Sequence, residues 1–145
     1  MLGFSSIMES KIQADCIGEI AMADNHKDAA VSFLKLASSG KVREAYAQFA
    51  GAGFRHHNPY FEGTQEALMV AMEENALQNP HKALDVKHVI AEGDLVVVHA
   101  HVRLKPGDLG VALVHIFRFD EGRIAELWDL GQPVPEKSPN QYGMF

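Results

Sequence analysis

Near Ala83 the apolar spacing of this chain changes from a helical period to a period of two, and it does not change back. Downstream, Leu84, Val86, His88 and Ile90 alternate with Asp85, Lys87 and Val89, as in a half-buried strand. DLVVVHAHVRLK, LGVALVHIFRF and RIAELWDLGQ follow, bounded by Gly93, Lys105-Pro106-Gly107-Asp108 and Asp120-Glu121-Gly122. A chain whose helices come first and whose strands run consecutively cannot be a parallel, helix-interleaved sheet. The order implies an α+β fold: a curved, antiparallel (mixed) sheet closed by three N-terminal helices.

Asn25 reads as the N-cap of the first helix, HKDAAVSFLKLASSG, with Ala29, Phe33, Leu34 and Leu36 on its apolar side and Gly40 as its stop. KVREAYAQFA is the second, ending at Gly51 and Gly53, with Ala45, Tyr46 and Phe49 inward. Thr64 caps the third, which Asn79-Pro80 ends. Residues 1–24 are an extension, helical or loose, and 25–145 form the single domain. In the strand from Leu95, the odd side (Leu95, Val97, His99, His101, Arg103) and the even side (Val96, Val98, Ala100, Val102, Leu104) are both apolar at the centre. That pattern implies cover on both faces. The tail from Pro133 reads as irregular.

At 145 residues the length suits one domain. The net charge is −6 and no Lys/Arg cluster offsets it, which argues against a nucleic-acid partner. No apolar run approaches the roughly 20 residues of a membrane helix. Glu9, Lys11, Asp15 and Glu19 break up the N-terminus, so it does not read as a secretory signal and the expected location is cytoplasmic. The lone Cys16 excludes an intrachain disulfide and a cluster of thiolates.

Chemistry has to come from histidines and carboxylates. Five of the eight histidines (His56, His57, His99, His101, His115) lie in or beside apolar segments. Asp129 stands at an apolar strand end, where desolvation disfavours its charged form. With a histidine nearby it would make a proton-transfer pair suited to abstraction next to a carbonyl. Capping of backbone or pairing with an arginine is the alternative. His115, in VALVHIF, is either that partner or a hydrogen-bonded core residue. Register decides. A three-residue hairpin loop keeps His115 and Asp129 on one face; a two-residue loop sets His115 with Trp128, unless a bulge restores the pairing. His99 and His101 share one strand side, and their spacing is compatible with a metal, but no further ligand cluster accompanies them; one of the two is expected to line a cavity. On the loop His57-Asn58-Pro59, His57 or Asn58 could hold a carbonyl oxygen, or Asn58 could serve the turn before Pro59. Trp128 reads as cavity wall or core, and Glu126 as a partner for Arg118 or Arg103.

His57-Asn58-Pro59, the run Phe119 to Ile124, Glu126-Leu127-Trp128-Asp129 and Gln132-Pro133-Val134-Pro135 together resemble the SnoaL-like polyketide cyclase family, within the nuclear-transport-factor-like cone superfamily. The resemblance covers roughly residues 25–145. It implies a bent sheet and three helices around a largely apolar cavity, dimerisation through the outer sheet face, and no metal or organic cofactor. It implies an aldol-type acid/base step with Asp129 and His115 as the catalytic pair and Asn58 at the pocket mouth. His57, Asn58, His99, His101 and Trp128 are the expected substrate contacts. Relatives often carry Asp at the position of His115 and His at that of Leu127, so the pocket polarity here is rearranged. Two functions are compatible with these features: a cofactor-free acid/base enzyme for a small hydrophobic carbonyl compound, cyclase- or isomerase-like, or a non-catalytic binding domain.

Overall fold

The computed structural model describes residues 4–145, with side chains from residue 7 onward. The elements are α1 (Phe4–Ser38), α2 (Val42–Phe49), β1 (Ala50–His56), α3 (Gln65–Gln78), β2 (Ala83–Glu92), β3 (Leu95–Arg103), β4 (Val111–Asp120) and β5 (Arg123–Pro133). The five strands form one sheet in the order β1-β5-β4-β3-β2. β1 runs parallel to β5 and the other pairs are antiparallel. This is the expected α+β cone, three helices against a mixed, curved sheet.

Two boundaries differ from the sequence reading. Asn25 caps nothing, because α1 continues through it back to Phe4. Asparagine costs a helix interior only about 0.5 kcal/mol relative to good formers. No Gly-Pro break interrupts the segment, and Asp24 pairs with Lys27 one turn on at 2.7 Å. Residues 1–3 of the expected extension lie outside the described residues. The second difference is β1, which AGAGFRH does not advertise: two glycines and two alanines carry no strand pattern. It is an edge strand whose register shifts between Ala50 and Arg55.

The expected alternation of β2 is also interrupted: its register shifts between Val86 and His88, so Leu84, Val86, Val89 and Ala91 pack on the core while His88 and Ile90 face outward. The helix stop and cap follow the expectation. Thr64 Oγ1 accepts from Ala67 N–H at 3.2 Å, which caps α3. Gly40, at φ +91°, ends α1 where a side chain would be strained.

The core lies between the helices and the inner sheet face. Ala30, Phe33, Leu34 and Ala37 give α1 its buried stripe, at the i, i+3, i+4, i+7 spacing that puts them on one side. Val42, Ala45 and Tyr46 do the same for α2. They meet Val96, Val98, Phe117, Ile124 and Leu127 from the sheet. Phe33 contacts Tyr46 and Phe117 edge-on at 5.1 and 5.8 Å between ring centres.

Candidate functional site

The hairpin β4–β5 sets the site. Asp120 pairs with Arg123, so the loop is the two residues Glu121-Gly122. Left alone, that loop would send His115 and Asp129 to opposite faces. The ladder shifts, however, between Arg118↔Glu126 and Phe119↔Ile124, leaving Ala125 as an extra residue. This bulge restores the pairing, and His115 stands directly opposite Asp129. Both point to the inner face with Phe117, Leu127, Val98 and Leu113, as strand alternation requires.

His115 is almost fully buried, and its Nδ1 has no hydrogen-bond partner. Burial lowers its pKa to about 4, against the opposing pull of the Asp129 charge. The ring is therefore neutral at pH 7. Asp129 is half-buried and its Oδ2 accepts from Asn58 Nδ2 at 2.8 Å. Asn58 is itself fixed: its Oδ1 accepts from Tyr60 N–H at 3.0 Å, and its own N–H donates to His56 Nδ1 at 3.1 Å. Asn58 thus serves the turn, as one of its two readings has it, and its amide nitrogen is directed to the Asp129 carboxylate. Tyr46, buried beside this group, has its phenol pKa raised by burial and then by the Asp129 charge, so it stays protonated.

A cavity of about 520 Å³ opens between α1, α3 and the inner face. Leu113, Val111, Val102, Leu84, Leu104 and Met72 give it an apolar wall, and Ser38, Asn75, Lys82, Asp108 and His115 are its polar positions. His115 lines it, while its cross-strand neighbour Asp129 and Asn58 do not.

None of the five expected substrate contacts lines the cavity: Asn58 holds Asp129, His57 lies on the loop after β1, and strand alternation turns the other three away. Trp128 pairs with Ile116, and His99 and His101 pair with Val114 and Ala112, all on the outer face. Neither His99 nor His101 reaches the cavity. His101 Nε2 meets the Leu109 carbonyl at 2.7 Å, His99 Nδ1 meets His88 Nδ1 at 3.0 Å, and the tail's Phe145 stacks on both rings. Among the described residues, no group of three or more His, Cys, Asp or Glu is arranged to hold a metal. His57 also faces outward, stacked on Trp128 at 4.8 Å and bonded to Glu126 Oε1 at 2.7 Å.

Glu126 gathers Arg55 at 2.7 Å, His57 at 2.7 Å and Arg118 at 3.0 Å. Its pKa falls to about 2, chiefly through the Arg55 hydrogen bond and then that of His57. Arg118 was one of its two expected partners; Arg103 is not among them.

The sequence reading missed Asn75, Lys82 and Asp108, which sit in helix-end and loop segments without a periodic signal. Tyr46 lies in the core, as its place on the apolar side of α2 implies. The odd side of β3 is also less covered than expected, with Val97 only half-buried and Leu95 exposed. No helix of the described residues is long and apolar enough to cross a membrane.

Solved structures share this architecture. AclR from Streptomyces galilaeus, provisionally a hydroxylase, superposes with a TM-score of 0.65 at 19% identity, covering 77% of this chain and 81% of that one. A provisional isomerase of the SnoaL-like family from Agrobacterium tumefaciens gives 0.62 at 16% identity, covering 75% and 98%. An NTF2-like protein of unknown function from Cytophaga hutchinsonii gives 0.60 at 17%, covering 74% and 90%. At these identities the likeness is one of fold. No curated protein sequence matches the chain. The model of the SnoaL-like domain matches residues 30–127, more than half of the sequence, and the chain belongs to that family.

Proposed function

We propose that this protein binds a small hydrophobic carbonyl compound in the cone cavity and catalyses a cofactor-free acid/base step on it, of aldol-cyclase or isomerase type. The observation that carries the reading is His115: a neutral, buried imidazole with an unpartnered Nδ1, on the wall of an apolar cavity and directly opposite a carboxylate. A neutral imidazole accepts a proton from carbon next to a carbonyl. The imidazolium that results is stabilised by Asp129, which Asn58 holds in place. The apolar wall suits a substrate with little hydration to lose. AclR and the Agrobacterium protein carry provisional enzymatic names, hydroxylase and isomerase, which agrees with a catalytic use of the fold. Two copies are proposed to pair through the outer sheet face, where Leu130 is exposed and Val114 and Ile116 are half-buried.

One observation favours a second reading, a domain that only binds. Asp129 does not line the cavity, and its carboxylate is occupied by Asn58. Deuterium exchange separates the two. With 2-tetralone in D2O, the enzyme reading expects α-proton exchange above the buffer rate. His115→Leu should reduce it by about 10²–10⁴-fold, the usual worth of a general base, while binding persists. Binding without exchange in the unaltered protein establishes the second reading.

A further inference from the structure

Lys82 precedes β2 by one residue, in the loop after α3, and its side chain enters the cavity lining. Its neighbours there are Leu84, Leu104, Leu109, Val102 and Met72. The ammonium donates to Asn75 Oδ1 at 2.6 Å. Asn75 is fixed at the end of α3, where its carbonyl accepts from both the backbone and side-chain nitrogens of Asn79. Lys82 N–H in turn donates to the Asn79 carbonyl at 3.1 Å. The stem is therefore held by a turn and the head by an amide.

Among the described residues, Lys82 has no ion-pair partner. Asp108 lines the same cavity, but its Oδ2 accepts from Lys105 N–H at 3.3 Å and forms no ion pair with Lys82. Burial lowers the Lys82 pKa, the mark of an ammonium short of water and of countercharge. A cation left without a carboxylate in an apolar cleft is costly, and an incoming anion offsets that cost.

The geometry points to Lys82 as the binding group for a carboxylate on the ligand, which makes the substrate an amphipathic acid: anionic head at Lys82 and Asn75, apolar body running inward to His115. The sheet gives the length. His115 pairs with Val98, and the row Leu84–Val102–Val111 that adjoins Lys82 is four residues further along β3. At about 3.3 Å per residue that is roughly 13 Å of strand. A head group held at Lys82 places carbons near the tenth of an extended chain beside His115. This inference rests on the cavity-binding reading above and adds the class of ligand.

The test compares decanoate with methyl decanoate by NMR titration of the ¹⁵N-labelled full chain. The unaltered protein is expected to bind the acid about tenfold or more tightly than the ester, the worth of a charge-assisted hydrogen bond. Lys82→Met should bind both equally, its retained ester affinity showing an intact cavity, and Lys82→Arg should keep the preference. Equal affinity for acid and ester in the unaltered protein overturns the Lys82 assignment alone. So does a preference that survives Lys82→Met. If neither ligand binds, the cavity reading fails and the assignment falls with it.

Discussion

His115 and Asp129 face each other across β4 and β5 because β5 takes up Ala125 as a bulge, without a partner in the ladder. The two-residue turn at Glu121-Gly122 and the bulge compensate one another, each reversing the parity that the other imposes. The outward hub of Glu126 and the inward burial of Leu127 depend on the same bulge.

Deleting Ala125 should therefore leave these pairings in place. Glu126 would follow Ile124 directly and still stand opposite Arg118, with Leu127 inward and Asp129 opposite His115. What the deletion removes is the extra bend and twist that a bulge gives its strand. Urea denaturation should show a folded, cooperative deletion variant that loses about 1 kcal/mol, the ordinary cost of a single change. A deletion variant with no folded baseline would mean that the hairpin has another register.

Acid stability should fall in two separable windows. His115 has a folded pKa of about 4, below its unfolded value of 6.5. The unfolded state binds the proton first, so stability is intact above pH 6.5 and declines towards pH 4, by roughly 3 kcal/mol in all. Glu126 has a folded pKa of about 2 against 4.5 unfolded. Its contribution is present above pH 4.5 and is lost as the pH falls towards 2. Urea midpoints measured from pH 7.5 to 3 should lose the upper slope in His115→Leu and the lower slope in Glu126→Gln. An unchanged upper slope in His115→Leu would assign that window to another histidine.

The fold was legible wherever one physical rule governed a long segment. Strand alternation along β3 and β4, the Thr64 cap and the Gly40 stop needed no tertiary information, whereas in β2 the alternation breaks at Lys87, where a shift of register that no residue announces turns Val89 inward and Ile90 outward. β1 was not legible, because an edge strand of Ala and Gly is defined by its partner Ile124 rather than by its own pattern. At the site, His115 and Asp129 could be named from their apolar surroundings, but their shared face rested on a bulge that Ala125 does not announce. Once the parity of β3 is fixed by Val96 and Val98 pointing inward, His99 and His101 must point outward. Their apolar neighbours suggested a cavity because the outer face of this sheet is itself apolar. Lys82 lay beyond reach, since only the folded loop brings it to the cleft.

Gly110 closes the cavity wall at a point where no side chain fits. Its φ is +79°, and a Cβ there would stand 2.3 Å from the Val102 carbonyl oxygen. Gly93, at φ +59°, has open space around the same position. Gly110→Ala should destabilise the fold by about 3 kcal/mol or more, whereas Gly93→Ala carries only the left-handed backbone cost of about 1 kcal/mol. Thermal melts of the two variants side by side read the difference. Equal losses would mean that Val102 and its neighbours yield to the added methyl group.

The outer face gives the last expectation. Val97, Val114 and Ile116 lie half-buried across β3 and β4, with Trp128 and the exposed Leu130 beside them on β5. The tail meets this face through Phe145, at His99, His101 and Lys87. Such a contiguous apolar surface on a sheet is a common seat of a twofold interface. Ile116→Glu places a charge at its centre and leaves the inner face untouched. Light scattering should report a dimer for the unaltered chain and a monomer for the variant, with the far-ultraviolet circular dichroism unchanged. A monomeric unaltered chain would leave this face for another occupant and remove the dimer from the account.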